Sequence, residues 1–136
     1  MKFLLDVSAL VALGIIDHEF HDRVAVWLRA QQWPSLATCP ITELGFVRVL
    51  AHVPAYGYTV SEARALLLRL KKAKTPLFGF IPDDHDISHL PAWVKTPKQT
   101  TDGHLLELAA ANGAVLATLD ERIPGAYLIP RNLPVR

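Results

Sequence analysis

Two aspartates follow short apolar runs in this chain of 136 residues. Asp6 comes directly after the apolar run at residues 3–5, and Asp120 comes directly after the run at residues 114–119. Runs of this kind predict strands that are buried on both faces. Open α/β sheets carry their functional sites beyond the carboxyl ends of their strands. Either aspartate alone would be explained as a turn residue, but two of them at one edge of a sheet indicate a site.

Two further acids lie in the first turns of predicted helices. With about 100° between successive residues of a helix, Glu43 projects between Val47 and Leu50, in the apolar arc of its helix. Asp102 lies on the apolar side of a later helix in the same way. A charge that complements the helix dipole explains each acid when it is taken alone. An acid within an apolar stripe is costly unless it is paired or binds a metal, so the two together favour a metal site.

The strand ends and helix starts would bring four carboxylates to one edge of the sheet: Asp6, Glu43, Asp102 and Asp120. Carboxylates this close repel one another, and hard divalent cations are the usual compensation. A set of ligands made only of oxygens favours Mg²⁺ or Mn²⁺ over zinc. Such a centre can activate water and stabilise the departing oxygen of a phosphodiester. The four acids therefore predict metal-dependent phosphoryl chemistry.

The elements that must position these acids alternate between short apolar strands and helices. We predict strands at residues 3–7, 35–39, 78–81, 114–119 and 127–129, and helices at residues 9–16, 19–32, 40–53, 61–74 and 100–112. Ser8 is expected to cap the first helix, and Thr100 or Thr101 the last. The alternation predicts an α/β fold with a mainly parallel central sheet wrapped by helices. The length fits one domain over residues 1–136.

The composition excludes several classes of protein. The chain is 51% apolar and 20% charged, which excludes a disordered chain and a coiled coil. Cys39 is the only cysteine, so an internal disulfide and a thiolate-rich metal site are excluded and a reducing cytoplasm is expected. The apolar stretch at residues 7–16 is shorter than the roughly 20 residues of a membrane span, so no membrane is expected. Asp6 interrupts the amino-terminal apolar run, which argues against a signal peptide.

The charge balance gives no direct sign of a nucleic-acid partner. The net charge is +1, from 14 basic and 13 acidic residues. Without the four candidate ligands, however, the balance is 14 basic against 9 acidic residues, which is compatible with an RNA substrate. The basic cluster at residues 69–74 either complements the negative end of its helix dipole or contacts RNA phosphates, and the sequence leaves both interpretations open.

The four acids lie in motifs that resemble those of the PIN-domain ribonucleases, in particular the VapC-type toxins of bacterial and archaeal toxin–antitoxin pairs. The motifs are LLDVSAL at residues 4–10, TE at 42–43, TDGHL at 101–105 and LATLD at 116–120. Their order and spacing are specific, and the resemblance covers essentially the whole chain. It implies a three-layer α/β/α domain and a Mg²⁺- or Mn²⁺-dependent endoribonuclease. It also implies a homodimer, held inactive by a cognate VapB-type antitoxin whose peptide lies in or near the acidic groove.

The resemblance also implies roles for individual residues. Four acids match metal-binding positions of the family: the core acids Asp6, Glu43 and Asp102, and the more variable fourth acid Asp120. Ser8 and Thr118 match small hydroxyl residues that support those ligands. No catalytic histidine is implied. Gly103 departs from the family, which more often has Ala or another small helix former there, and this is expected to weaken the helix start slightly.

Other classes of function are compatible with parts of this pattern. A PIN-domain nuclease that processes RNA without being a toxin would keep the same acids. A catalytically silent PIN-fold binding module would keep the fold and lose acids, whereas all four are present here. A phosphoaspartyl phosphatase would also begin with a strand that ends in Asp, but it needs a second Asp two residues later, where this chain has Ser8.

Histidine pairs at helical spacing form the remaining candidate sites: His18 with His21, and His85 with His89. A zinc site needs a third protein ligand, and neither pair has an evident one. Solvated surface histidines are therefore expected. The acidic run at residues 83–86 lacks the ligand spacing of a calcium loop, so an exposed turn is expected there.

Overall fold

The computed structural model describes residues 1–131 of the chain. Its strands are β1 (Lys2–Leu5), β2 (Ser35–Thr38), β3 (Phe78–Phe80), β4 (Ala114–Thr118) and β5 (Tyr127–Leu128). Its helices are α1 (Val7–Gly14), α2 (His21–Ala30), α3 (Pro40–His52), α4 (Val60–Lys72) and α5 (Thr100–Ala111). The segment between β3 and α5 contains two short 3₁₀ turns, Ile87–His89 and Pro97–Gln99. None of the helices in this described part is long and apolar enough to cross a membrane.

The five strands form one sheet in the order β3-β2-β1-β4-β5, and every neighbouring pair is parallel. The predicted α/β fold with a mainly parallel sheet is therefore confirmed. Strand β1 lies at the centre, and its residue Lys2 is in register with Ser35 on one side and with Ala114 on the other. Because the strands are parallel, their carboxyl ends all lie at the same edge of the sheet.

Apolar side chains alternate between the two faces of the central strand, as the pleat of a strand requires. Phe3 and Leu5 belong to a core cluster that also contains buried residues of α1, α2, α3 and α4. Leu4 belongs to a second cluster, which contains Leu105 and Leu108 of α5. Helices therefore cover both faces of the sheet, which gives the three-layer α/β/α architecture.

Buried aromatic rings fill the first cluster. Trp27 of α2 is fully buried, and its ring packs edge-on against Phe3 with 5.0 Å between the centroids. Its indole Nε1–H donates to the hydroxyl of Tyr127 at 3.1 Å, so the polar atom of this large side chain has a partner. Trp27 therefore serves packing of the core.

Two predicted helix caps are wrong. The cap of α1 is Asp6, whose carboxylate accepts a hydrogen bond from the backbone N–H of Ala9, whereas Ser8 lies inside the helix and is exposed. At α5 the capping position is occupied by Gln99, which makes no side-chain capping bond. Thr100 is already helical, and its hydroxyl donates to a carbonyl oxygen of the preceding turn. A serine and an aspartate are both good caps, and here the aspartate at the strand end takes the role.

Two glycines allow close packing beside the site. Gly45 of α3 faces Val7 of α1 so closely that a Cβ atom would overlap the valine side chain. Gly103 of α5 faces Val94 in the same way, and a Cβ atom there would also lie 3.2 Å from Cδ of Pro91. The departure at Gly103 thus has a packing reason: it lets the segment before α5 lie directly on the helix.

An acidic candidate site at the carboxyl edge of the sheet

Asp6 is the most buried acid of the candidate site, with 5% of its surface exposed. It follows β1 directly and caps α1, so both elements fix its position. The backbone N–H of Ala9 donates to its Oδ1 at 2.9 Å, and the hydroxyl of Thr118 donates to its Oδ2 at 2.5 Å. Both carboxylate oxygens are therefore oriented before any ligand binds.

The environment of Asp6 disfavours its negative charge. Burial raises the pKa of Asp6 from 3.8 to about 6, against the opposing effect of the hydrogen bonds from Thr118 and Ala9. The charges of Asp102 and Asp120 raise this pKa further. Three of the four sequence-predicted acids are thus electrostatically coupled in the structure. A cation placed among them would relieve both the burial and the repulsion.

Asp102 lies in the first turn of α5 and is partly buried. Burial raises its pKa, and the neighbouring charge of Asp120 raises it further. Asp102 and Asp120 both line a cleft of about 210 Å³, together with Lys98 and Arg122. The cleft therefore combines two carboxylates with two cationic side chains.

Asp120 lies two residues beyond the end of β4, and hydrogen bonds with Thr118 and Arg122 hold it in place. Its backbone N–H donates to the hydroxyl of Thr118 at 3.0 Å. Its carboxylate accepts two hydrogen bonds from the guanidinium of Arg122, at 3.0 and 3.1 Å. These bonds, together with one from the backbone N–H of Arg122, lower the pKa of Asp120, whereas burial raises the pKa of Asp6 and of Asp102. Sequence reasoning did not identify Arg122, although its position two residues after Asp120 was a usable signal.

Glu43 points to a different set of partners. Its Oε2 accepts hydrogen bonds from the hydroxyl of Thr38, at 2.6 Å, and from the ammonium group of Lys71. The sequence-based expectation that Glu43 lies in the middle of the buried stripe of α3 is wrong. The buried residues of this helix are Thr42, Gly45, Phe46 and Leu50. Glu43 lies beside that stripe, partly exposed, where a lysine can reach it.

Ser8 and Thr118, the two hydroxyl residues predicted to support the acids, differ in position. Thr118 is buried at the end of β4 and bonds to both Asp6 and Asp120. Ser8 is exposed, and it lines a shallow surface depression with Asp120 and Arg122. The hydroxyl of Thr118 is thus within the acid network, whereas Ser8 lies at its border.

The histidines lie away from the acid network or form contacts of their own. His85 and His89 stack with 4.0 Å between their ring centroids, and His85 is partly buried rather than solvated. His104 pairs through Nε2 with Oδ2 of Asp83 at 2.5 Å. Within residues 1–131, no three histidine, cysteine or acidic side chains stand in an arrangement ready to hold a metal ion.

The chemistry of the acids nevertheless fits a hard divalent cation. The coupled group Asp6, Asp102 and Asp120 offers only oxygen donors, and its buried member Asp6 pairs with no cationic side chain of residues 1–131. Glu43 and Asp120 are each held by a cation of the chain itself, Lys71 and Arg122 respectively.

Comparisons with known proteins extend over almost the whole chain. A family model described as PIN domain matches residues 3–127. The chain is 36% identical to Ribonuclease VapC44 of Mycobacterium tuberculosis over 137 residues, which cover 93% of this chain and 94% of that protein. It is 39% identical to Ribonuclease VapC38 of the same organism over 135 residues, or 96% of this chain and 92% of that protein. For Ribonuclease VapC29, also from Mycobacterium tuberculosis, the identity is 35% over 88% of this chain and 86% of the relative.

Proposed function

The chain belongs to the PIN domain family, and on that basis we propose that it is a metal-dependent endoribonuclease, the toxin of a type II toxin–antitoxin pair. The relatives described above are ribonucleases by name. The observation that carries the proposal is the coupling of Asp6, Asp102 and Asp120 at the carboxyl edge of the sheet. A buried carboxylate beside two others is costly for a protein that does not bind a cation there.

Mg²⁺ or Mn²⁺ is the proposed cofactor. Asp6, Asp102 and Asp120 would hold it, and Glu43 would join them on leaving its lysine partner. When bound, the ion supplies positive charge at the phosphodiester and acidifies the attacking water. The remaining contributions come from side chains of the protein.

The protein orients the acids and moves the proton. Thr118 and the backbone N–H of Ala9 hold the two oxygens of Asp6 in fixed directions. One of the carboxylates at this edge of the sheet would take the proton of the attacking water. Arg122 and Lys98 line the cleft beside these acids and can contact RNA phosphates, which position a strand without reading its bases.

The proposed partners follow from the same family membership. They are an RNA substrate, a cognate VapB-type antitoxin and a second copy of the chain in a homodimer. We place the protein in the cytoplasm and treat residues 1–136 as one nuclease domain. A PIN-domain nuclease with an RNA-processing role differs from this proposal only in its biological setting.

RNA cleavage tests the proposal directly. The wild-type protein should cut single-stranded RNA with Mn²⁺ and stop when EDTA is added, and Asp6→Asn should remove cleavage. Asp17→Asn is the matched control, because Asp17 is an exposed acid outside the site. Cleavage by Asp6→Asn at the wild-type rate would show that the site is wrong, and cleavage in EDTA would show that the metal mechanism is wrong.

Expression in cells separates a toxin from a processing nuclease. Induction of a toxin should stop growth, and co-expression of the protein encoded by a neighbouring gene should restore it. An active nuclease whose induction leaves growth unchanged would contradict the toxin assignment and favour the processing role.

A further inference from the structure

Lys71 lies between an acid of the candidate site and an exposed aromatic ring. It belongs to the last turn of α4. Its ammonium group pairs with Oε2 of Glu43 and lies 5.1 Å from the centroid of the Phe80 ring. The side chains of Lys71 and Glu43 are 24% and 25% exposed, so the pair is partly shielded from water.

The contacts of Glu43 come from two separate elements. Thr38, buried at the end of β2, donates its hydroxyl to the same Oε2 atom that Lys71 contacts. Phe80 is in register with Thr38 across the β2–β3 pair, which places the aromatic ring beside the ion pair. Oε2 of Glu43, a candidate metal ligand, thus already accepts hydrogen bonds from two donors, Thr38 and Lys71.

The helix dipole does not account for this arrangement. Arg69, Lys71 and Lys72 all lie in the last turn of α4, where any cation complements the dipole. Among the described residues, Lys71 is the only lysine within 4.0 Å of a carboxylate. The orientation of the Lys71 side chain is therefore explained by its pairing with Glu43 and not by the helix dipole.

We propose that Lys71 is a positioning residue that serves as the counter-ion of Glu43 and competes with the divalent metal for this carboxylate. The inference rests on the proposed function, since it takes Glu43 to be a metal ligand. In the metal-free protein the lysine holds Glu43 apart from the coupled group of Asp6, Asp102 and Asp120. Metal binding exchanges one cation for another at Glu43. Because the ion pair between Lys71 and Glu43 must break first, the net free energy of metal binding is smaller than it would be without the lysine.

The affinity for Mn²⁺ measures this competition without relying on activity. Isothermal titration calorimetry compares the wild type with Lys71→Met, which removes the charge and keeps an apolar side chain against Phe80. Because partly exposed ion pairs are weak, Lys71→Met should bind Mn²⁺ about threefold more tightly. Lys72→Met is the matched control, because Lys72 is the next residue, exposed and similarly charged, and it should bind Mn²⁺ like the wild type.

A double-mutant cycle separates a direct contact from the general effect of a positive charge. In a Glu43→Gln background Lys71 has no carboxylate to hold, so adding Lys71→Met should leave the Mn²⁺ affinity unchanged. An effect of the lysine charge at long range would persist in that background and would overturn the proposal.

The remaining outcomes are also decisive. Unchanged or weaker Mn²⁺ binding by Lys71→Met overturns the competition, weaker binding indicating that the lysine supports the ligand. A wild-type protein that binds no Mn²⁺ overturns the proposed function together with this inference. If the wild type binds Mn²⁺ and Lys71→Met binds it with the same affinity, this inference is overturned and the proposed function stands.

Discussion

The hydroxyl of Thr118 donates a hydrogen bond of 2.5 Å to Oδ2 of Asp6, although the two residues are 112 positions apart in the sequence. The same hydroxyl oxygen accepts the backbone N–H of Asp120 at 3.0 Å. One buried side chain therefore connects the end of β4 with the end of β1 and spaces two of the coupled acids. This link makes Thr118 the first position to test beyond the acids themselves.

Thr118→Val should weaken the site while keeping the volume of the side chain. It leaves Oδ2 of Asp6 and the N–H of Asp120 without their partner, which should lower the free energy of unfolding by about 1–3 kcal/mol. Loss of such an orienting bond should weaken Mn²⁺ binding by about tenfold. Thermal denaturation and calorimetry measure the two effects.

Thr118→Ser keeps the hydroxyl and is the control for this substitution. It should bind Mn²⁺ close to the wild-type affinity, with a modest loss of stability from the missing methyl group. Equal Mn²⁺ affinities for the serine and valine variants would show that the hydroxyl does not orient Asp6.

Asp6→Asn should stabilise the metal-free protein near neutral pH. The buried carboxylate is ionised at a cost there, because burial has raised its pKa to about 6. The amide has no charge to bury, can still accept the N–H of Ala9 and can donate its own N–H to the hydroxyl oxygen of Thr118, so the free energy of unfolding should rise by about 1–3 kcal/mol. Chemical denaturation in EDTA measures this change.

The same variant should lose the stabilisation that Mn²⁺ gives to the wild type. A lower stability of Asp6→Asn in EDTA would contradict the cost assigned to the buried charge. Asp17→Asn should leave both the stability and the response to Mn²⁺ unchanged.

The stability of the wild type should depend on pH through Asp6. The folded state keeps this proton up to about pH 6, whereas the unfolded chain loses it near 3.8. The contribution of Asp6 to the free energy of unfolding therefore falls as the pH rises through this window and is constant above it. Subtracting the profile of Asp6→Asn, which lacks the titrating group, isolates the effect. A difference that rises with pH between these values would contradict the assignment.

Gly103→Ala should destabilise the protein even though alanine is the better helix former. Its Cβ atom would overlap Val94 and crowd Pro91, and overpacking of this kind costs about 1–3 kcal/mol. In a Val94→Ala background the overlap is gone and only the crowding of Pro91 remains, so the same substitution should be clearly less destabilising. Thermal denaturation of the four proteins tests this, and stabilisation by Gly103→Ala alone would exclude the proposed contact.

The fold and much of the site could be predicted because both follow from local patterns. Short apolar runs alternating with helices predicted the parallel sheet, and its geometry places the acids that follow β1 and β4 at one edge. Asp102 could be predicted as a site residue from its position in the first turn of α5. These features depend on the order of residues within single elements.

The contacts between elements could not be predicted in the same way. A helical projection of α3 alone placed Glu43 in the apolar arc of that helix. The projection carries no information on which side of α3 the helix α1 packs, or on the position that the ammonium group of Lys71 reaches from α4. Ser8 was predicted as the cap because the strand was predicted to run to residue 7, whereas β1 ends at Leu5 and Asp6 caps α1. Partners from distant parts of the chain decide both positions.

The double use of Asp6, as helix cap and as proposed ligand, has an evolutionary consequence. A single base change in an aspartate codon yields asparagine, which is also a favoured cap. Such an allele would silence the chemistry and still produce a folded protein with its outer surfaces intact. On the proposed function, one base change would thus separate the activity of this protein from its folding.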